Sequence, residues 1–417
     1  MSDTLPVDPR RMLRDLRELA SFGGLDPGVE RLAFGEQDVA ARAWLANRMR
    51  HAGLDVEIDG IGNVLGRRAG AGRAILLGSH TDTVPRGGWL DGAYGVIAAL
   101  EVARAHAEAA PHGAVGVDVI SFADEEGTFL ATTGSTAFCG ELAPADLHAA
   151  RDAGGRSLDE ALRAAGYGGR PFARLDPDRH VAFLELHIEQ GPRLEAAGQR
   201  IGVVTGIAGM RRRTVTFAGR ADHAGTTPMG RRRDAGAALV RYVVAAEELL
   251  RAQAGPDTVW NFGRFGLTPG ASNVVPGGAE LLFELRDGDD ATMERLERAL
   301  EGLDAPVAAE TGVEVIGRTV AARAASPTDA RIAAAIEGAA AALGAPSMRM
   351  PSGAGHDARV LGRHVPAGMA FVPSIGGRSH DVAEDTAEED LALGVRVLGE
   401  AVAALVAEQG RASPQGG

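Results

Sequence analysis

Three short apolar runs that stop at histidines or acids constrain this chain more than any other feature. "AILLGSH" (74–80) ends at His80, and "VDVISFA" (117–123) runs directly into Asp124, Glu125 and Glu126. "VAFLELHIEQG" (181–191) ends near His187 and Glu189. The runs are apolar almost throughout rather than alternating, the pattern of strands buried on both faces. Helical segments separate them, such as the amphipathic "DVAARAWLANRMRHAGL" and "DGAYGVIAALEVARAHAEAA". Buried strands alternating with helices predict an α/β domain built on a mostly parallel sheet. In such a sheet the carboxyl ends of the strands converge on one crevice.

The pattern changes between about 210 and 322. Strands are expected at 213–219, 258–264, 279–286 and 312–321, with helices at 233–253 and 291–309. The order β-α-β-β-α-β is the ferredoxin-like plan. α/β character then returns with "PTDARIAAAIEGAAAALG", "AGMAFV" and a closing helix in "DTAEEDLALGVRVLGEAVAALVAEQ". The expected organisation is therefore an α/β domain of residues 1–209 and 323–417. Into it a second domain, residues 210–322, is inserted as a lid.

Composition narrows the chemistry. The net charge is −13, which argues against a general nucleic-acid binder, although Arg211–Arg213 and Arg231–Arg233 form local basic runs. All 43 basic residues are arginine, so Schiff-base chemistry and a P-loop lysine are excluded. Cys139 stands alone, which fits a reducing, cytoplasmic setting without intramolecular disulfides. No apolar stretch is long enough to span a membrane, and "MSDTLPVDPRRML" has no apolar signal core. There is no G-x-S-x-G elbow and no H-E-x-x-H, and "GIGNVLG" (60–66) only approaches a dinucleotide-binding pattern.

What remains is a set of ligand-type side chains at strand ends. Asp82 follows His80 by two residues, so on an extended chain its carboxylate shares a face with the imidazole and could fix its tautomer. Asp91 stands at a helix start, where N-capping is its simplest role. Glu125, Glu126, His187, Glu189 and the loop residue His380 complete the set. Three histidines with several carboxylates suit a borderline divalent ion, and a shared carboxylate could bridge two of them.

The motifs "GSHTDTVPRGGWLDGAYGV", "FADEEGT", "HIEQGP", "ADHAGTTPMGRRRDA", "SNVVPG", "PSGAGHDA" and "GGRSHDVAED" occur in that order, within a resemblance that runs from about residue 10 to 409. Together they resemble the binuclear metal amidohydrolases related to aminoacylases and dinuclear-zinc carboxypeptidases. The resemblance is stronger to the branch of N-carbamoyl-L-amino-acid hydrolases, β-ureidopropionases and allantoate amidohydrolases. "HIEQGP" with "SGAGHDA" points to that branch, since carboxypeptidase-like relatives use an acidic ligand where this chain has His187.

The resemblance implies two divalent metal ions per subunit, zinc or else manganese, cobalt or nickel. Asp91 would bridge them, with His80 and His187 on one and Glu126 and His380 on the other. Asp82 would support His80, and Glu125 would act as general base. From the lid, His223 would reach a partner subunit's active site to stabilise the oxyanion, while Asn273 and Arg286 would bind the substrate carboxylate. Gln190 and His356 would contact the ureido end. A guanidinium at the end of "LLFELRD" also suits a carboxylate on physical grounds. The loop "SHDVAEDT" and the strand "TVWNFGRFGLTPG" depart from the family pattern. The expected activity is hydrolysis of a linear C–N amide bond in a carboxylate-bearing ureido compound by a cytoplasmic homodimer. Candidate substrates are N-carbamoyl-L-amino acids, allantoate and 3-ureidopropionate. An aminoacylase or peptidase is the enzymatic alternative, and a catalytically dead binding protein the non-enzymatic one.

Overall fold

The computed structural model describes residues 5–109 and 115–412, and the chain divides into two compact units. The first comprises 1–205, 328–350 and 354–417. Four parallel strands form its centre, in the order Val115–Phe122, Arg73–His80, His180–Ile188 and Ala367–Val372. Every residue of Val115–Phe122 and Ala367–Val372 is buried, as apolar runs with cover on both faces require. Antiparallel strands extend the sheet: Val64–Arg68 and then Leu54–Ile58 beyond Val115–Phe122, and Ile201–Ile207 beyond Ala367–Val372.

The helices Pro9–Ala20, Ala93–Ala109 and Glu388–Ala412 pack together over the sheet. Their apolar sides join Ile75, Leu77, Val117, Val119, Leu184 and Leu186 in one continuous core. Alanine dominates Ala93–Ala109, which is buried along most of its length and therefore needs small side chains on several faces. No helix among the described residues is long and apolar enough to cross a membrane.

The second unit comprises 206–327 with 351–353. Its antiparallel sheet runs in the order Glu314–Arg323, Gly209–Ala218, Gly278–Asp287 and Val259–Thr268. Burial alternates along Gly278–Asp287, so one face carries Leu281, Phe283 and Leu285 into a core with Tyr242, Leu250, Met293 and Leu300. The helix expected over 291–309 is two helices, Asp290–Glu301 and Asp304–Thr311. Gly302 (φ −62°) and Leu303 (φ −83°) between them both keep right-handed helical angles, so the two helices follow one another without a left-handed cap.

Candidate active site

The parallel register places the ends of three strands side by side. His80 is the last residue of Arg73–His80 and pairs with Phe122, and His187 is the penultimate residue of His180–Ile188. Both are fully buried. Asp91 lies just before the helix Ala93–Ala109, but its carboxylate is not spent on capping. Oδ1 is 3.1 Å from His187 Nε2 and 3.6 Å from His80 Nε2, and Oδ2 is 3.3 Å from His380 Nε2. Gly92 makes this approach possible: it has φ +63°, and a Cβ there would sit 2.4 Å from the His80 ring.

The tautomers follow from the second ring nitrogens. His80 Nδ1–H donates to the carbonyl of Asp82 at 3.0 Å, and His187 Nδ1–H donates to the carbonyl of Ile188 at 2.9 Å. Both Nε2 atoms therefore face Asp91, and that of His187 accepts the N–H of Gly92 at 3.1 Å. The support for His80 differs from the sequence expectation. The Asp82 carbonyl makes the bond, while the carboxylate oxygen is 3.9 Å from the ring. The regular strand ends at His80, so the alternation that would align the two side chains does not extend to Asp82. The Asp82 carboxylate instead accepts the N–H of Glu126 at 3.2 Å and lies 3.7 Å from the buried guanidinium of Arg42.

After Phe122 the chain turns through Asp124 in the left-handed region, with φ +53°. Asp124 is fully buried and accepts from the N–H groups of Phe129 and Leu130 and from the hydroxyl of Thr133 at 2.9 Å. It ties down the loop on which Glu125 and Glu126 sit, and burial pushes it up to about 7. Glu125 Oε2 is 3.7 Å from His80 Nε2, whereas Glu126 Oε2 is 3.4 Å from His380 Nε2. The adjacent glutamates thus face different imidazoles.

Gln190 and His356 are brought to the same place. Gln190 Nε2–H donates to Asp91 Oδ2 at 2.8 Å and to Ser379 Oγ at 3.0 Å, so its amide is engaged with the acidic centre itself. His356 is buried, with its ring edge-on to His187 at 4.7 Å between centroids. Burial and the neighbouring His187 hold it well below the usual imidazole range.

His223, Asn273 and Arg286 belong to the second unit. His223 is exposed, with Nδ1 accepting from the N–H groups of Gly225 and Thr226. It pairs with Val274 on a two-stranded ladder beside exposed Asn273. Arg286 donates to Glu284 Oε1 at 2.7 Å and to the carbonyl of Gly353 at 2.8 Å.

Sequence reasoning missed Glu185, Arg42, Ser379 and Glu384. Glu185 accepts from Ser79 Oγ at 2.7 Å and from the N–H of Ala358 at 3.0 Å, and forms a third carboxylate–imidazole group with His187 and His356. An acid inside the apolar run "AFLELHI" was the available signal, because a buried charge needs a partner.

The residues present fit a cation. Donor atoms of His80, Asp91 and His187 lie within 4.8 Å of one another, as do those of Asp91, Glu126 and His380. The imidazole Nε2 atoms and the Asp91 oxygens approach to 3.1–3.6 Å, which calls for positive charge among them, from protons on the imidazoles or from a bound cation. Buried Glu126 Oε1 and Asp82 Oδ1 have no hydrogen-bond partner among the described residues. Burial and the charge of Asp91 push Glu126 up to about 8, and burial with Asp357 and Glu126 pushes Glu125 well above its usual range. Asp91 falls well below its range because three imidazoles outweigh its burial, and the bond to Asp91 raises His380 to about 9. A cation held among these groups would supply the positive charge that the crowded carboxylates call for.

A parallel α/β sheet with a buried histidine–carboxylate cluster at its strand ends defines a metallohydrolase class of protein. The chain belongs to the peptidase family M20/M25/M40, whose model matches residues 76–404. It is 38% identical to an N-carbamoyl-L-amino acid amidohydrolase of Geobacillus stearothermophilus, over 94% of this chain and 97% of that one. It is 36% identical to an allantoate amidohydrolase of Bacillus subtilis, over 91% and 93% of the two chains. Among solved structures, an amidase of the hydantoinase/carbamoylase family from Burkholderia phymatum superposes with a TM-score of 0.91. That protein is 45% identical, with 97% of this chain and 99% of it covered.

Proposed function

We propose that this protein hydrolyses the linear amide C–N bond of N-carbamoyl-L-amino acids, giving the free amino acid, carbon dioxide and ammonia. The observation that carries the reading is the set of imidazoles around Asp91, with Glu125 beside it but outside both ligand groups on Asp91. His80, His187 and Asp91 would hold one divalent ion, and Asp91, Glu126 and His380 a second. Zinc, manganese, cobalt and nickel all suit these donors. When bound, such ions supply Lewis-acid polarisation of the scissile carbonyl and of water.

Glu125 accepts the proton of the attacking water and delivers it to the leaving nitrogen. Burial raises its affinity for protons, which suits holding the proton between the two steps. Gln190 and His356 face the cluster and bind the ureido end. In the second unit, read as a lid and dimerisation domain, Asn273 and Arg286 bind the substrate carboxylate, with the Glu284 partner of Arg286 yielding to it. His223 donates to the developing oxyanion in a partner subunit's site.

Allantoate is the second reading, supported by the relative named for it. The metal-loaded protein should be incubated with an N-carbamoyl-L-amino acid, allantoate, 3-ureidopropionate and an N-acetyl amino acid, following ammonia and amine release. Ammonia with free amino acid from the first is the expected result. Turnover of the N-acetyl compound alone would assign the protein to the aminoacylases instead.

A further inference from the structure

A cavity of about 440 Å³ in the first unit opens beside the acidic centre and belongs to none of the roles above. Glu126 is among its lining residues, which places the cavity next to a residue of the Asp91 cluster. Its walls are apolar, formed by Leu32, Ala33, Val84 and Pro85. We propose that this cavity is the subsite for the amino-acid side chain, and that it selects N-carbamoyl amino acids with a bulky apolar side chain. The inference rests on the ureido-hydrolase reading and deepens it.

Thr83 and Asp152 at the walls are already engaged. Thr83 Oγ1 accepts the N–H of Arg31 at 2.8 Å and donates to the carbonyl of Val84 at 2.9 Å. The Asp152 carboxylate takes the N–H groups of Gly154 and Arg156 and the Nε–H of Arg156 at 3.1 Å. The Arg156 guanidinium lies over the ring of Phe129, 5.7 Å from its centroid. A second ureido group, as on allantoate, would enter against the apolar Leu32, Ala33, Val84 and Pro85, and burying it there without hydrogen bonds is costly. 3-Ureidopropionate and N-carbamoylglycine have no side chain to place there. A leucine or phenylalanine side chain would bury apolar surface against these walls, and the volume lies within the range of small-molecule pockets.

The test compares kcat/KM of the metal-loaded enzyme for N-carbamoyl derivatives of glycine, L-leucine and L-phenylalanine, and for allantoate. The leucine and phenylalanine compounds should exceed the glycine compound roughly 10-fold or more, and allantoate should fall below both. Val84→Trp, at a half-buried wall position, should narrow the phenylalanine-to-glycine ratio about 5-fold or more. Equal rates on the glycine and phenylalanine compounds, or allantoate as the preferred substrate, would overturn the subsite while leaving the amidohydrolase reading intact. Turnover confined to N-acetyl amino acids would overturn that reading instead. The phenylalanine-to-glycine ratio in the N-acetyl series then decides the subsite by itself.

Discussion

Glu384 Oε1 accepts the backbone N–H of Asp91 at 3.0 Å, and that of Leu90 at 3.2 Å. Its other oxygen takes the Ser379 hydroxyl at 2.8 Å, one residue before His380. His380 itself is held at φ +55°, a conformation that a non-glycine residue adopts only under constraint. One buried carboxylate therefore ties the loop that carries His380 to the segment that carries Asp91. Removing it leaves buried N–H groups unpaired, at about 1–3 kcal/mol. Glu384→Ala should lower metal retention about 10- to 100-fold, the usual effect of losing a residue that orients ligands. Glu384→Gln keeps an acceptor oxygen and should lose less. Metal content after dialysis against a weak chelator measures this. Wild-type retention by a folded Glu384→Ala protein would show that the tie is dispensable.

Glu125→Gln separates proton transfer from metal binding. Glutamine keeps the shape but neither accepts nor returns a proton, so turnover should fall about 10²–10⁴-fold. Metal content should stay at the wild-type level, because Glu125 belongs to neither ligand group on Asp91. Glu126→Gln, by contrast, should lower metal content as well as rate. Metal analysis beside ammonia release distinguishes the two. Loss of metal from Glu125→Gln would place that residue among the ligands.

The elements that carry the site were legible because buried parallel strands leave an unmistakable apolar signature. "AILLGSH", "VDVISFA", "VAFLELHIEQG" and "AGMAFV" all coincide with the central strands. The flanking strands Leu54–Ile58, Val64–Arg68 and Ile201–Ile207 were not read, since mixed burial and antiparallel pairing dilute the pattern. Within the site, residue types at strand ends were readable and their hydrogen bonds were not. Asp82 contributes a carbonyl where a carboxylate was expected, because the chain leaves the extended form at His80. Asp124 carries no role that its sequence context assigns, yet it is the buried anchor of the turn. Glu384 and Ser379 gave no signal, because nothing local in "SHDVAED" reveals that the partner is a backbone N–H nearly 300 positions earlier.

If His223 acts in a partner's site, catalysis is divisible between subunits. Protein carrying His223→Ala and protein carrying Glu125→Gln should each be nearly inactive alone. Mixed under conditions that exchange subunits, they should regain up to about a quarter of wild-type activity, because the mixed dimer holds one unaltered site. Subunit exchange is checked independently with differently tagged chains. Exchange without recovery would confine His223 to its own subunit.

Away from the centre, Asp118 couples stability to acid. Its fully buried carboxylate takes Arg179 Nε–H at 2.7 Å and Nη2–H at 2.9 Å, the N–H of Arg68 at 2.7 Å, and lies 3.2 Å from His180 Nε2. Burial alone would raise it, but His180 and Arg179 outweigh that and hold it below its ordinary 3.8. A carboxylate depressed in the folded state stabilises the fold fully above its unfolded value and loses that contribution as pH falls through the folded one. Asp118→Asn breaks a buried pair, which costs about 3–5 kcal/mol. The lower end applies here, because Arg179 is partly exposed. Urea unfolding from pH 7 down to pH 3 should show a large gap between wild type and variant at pH 7, closing as pH drops below about 4. A gap that is constant across this range would mean that the Asp118 side chain acts through its shape rather than its charge.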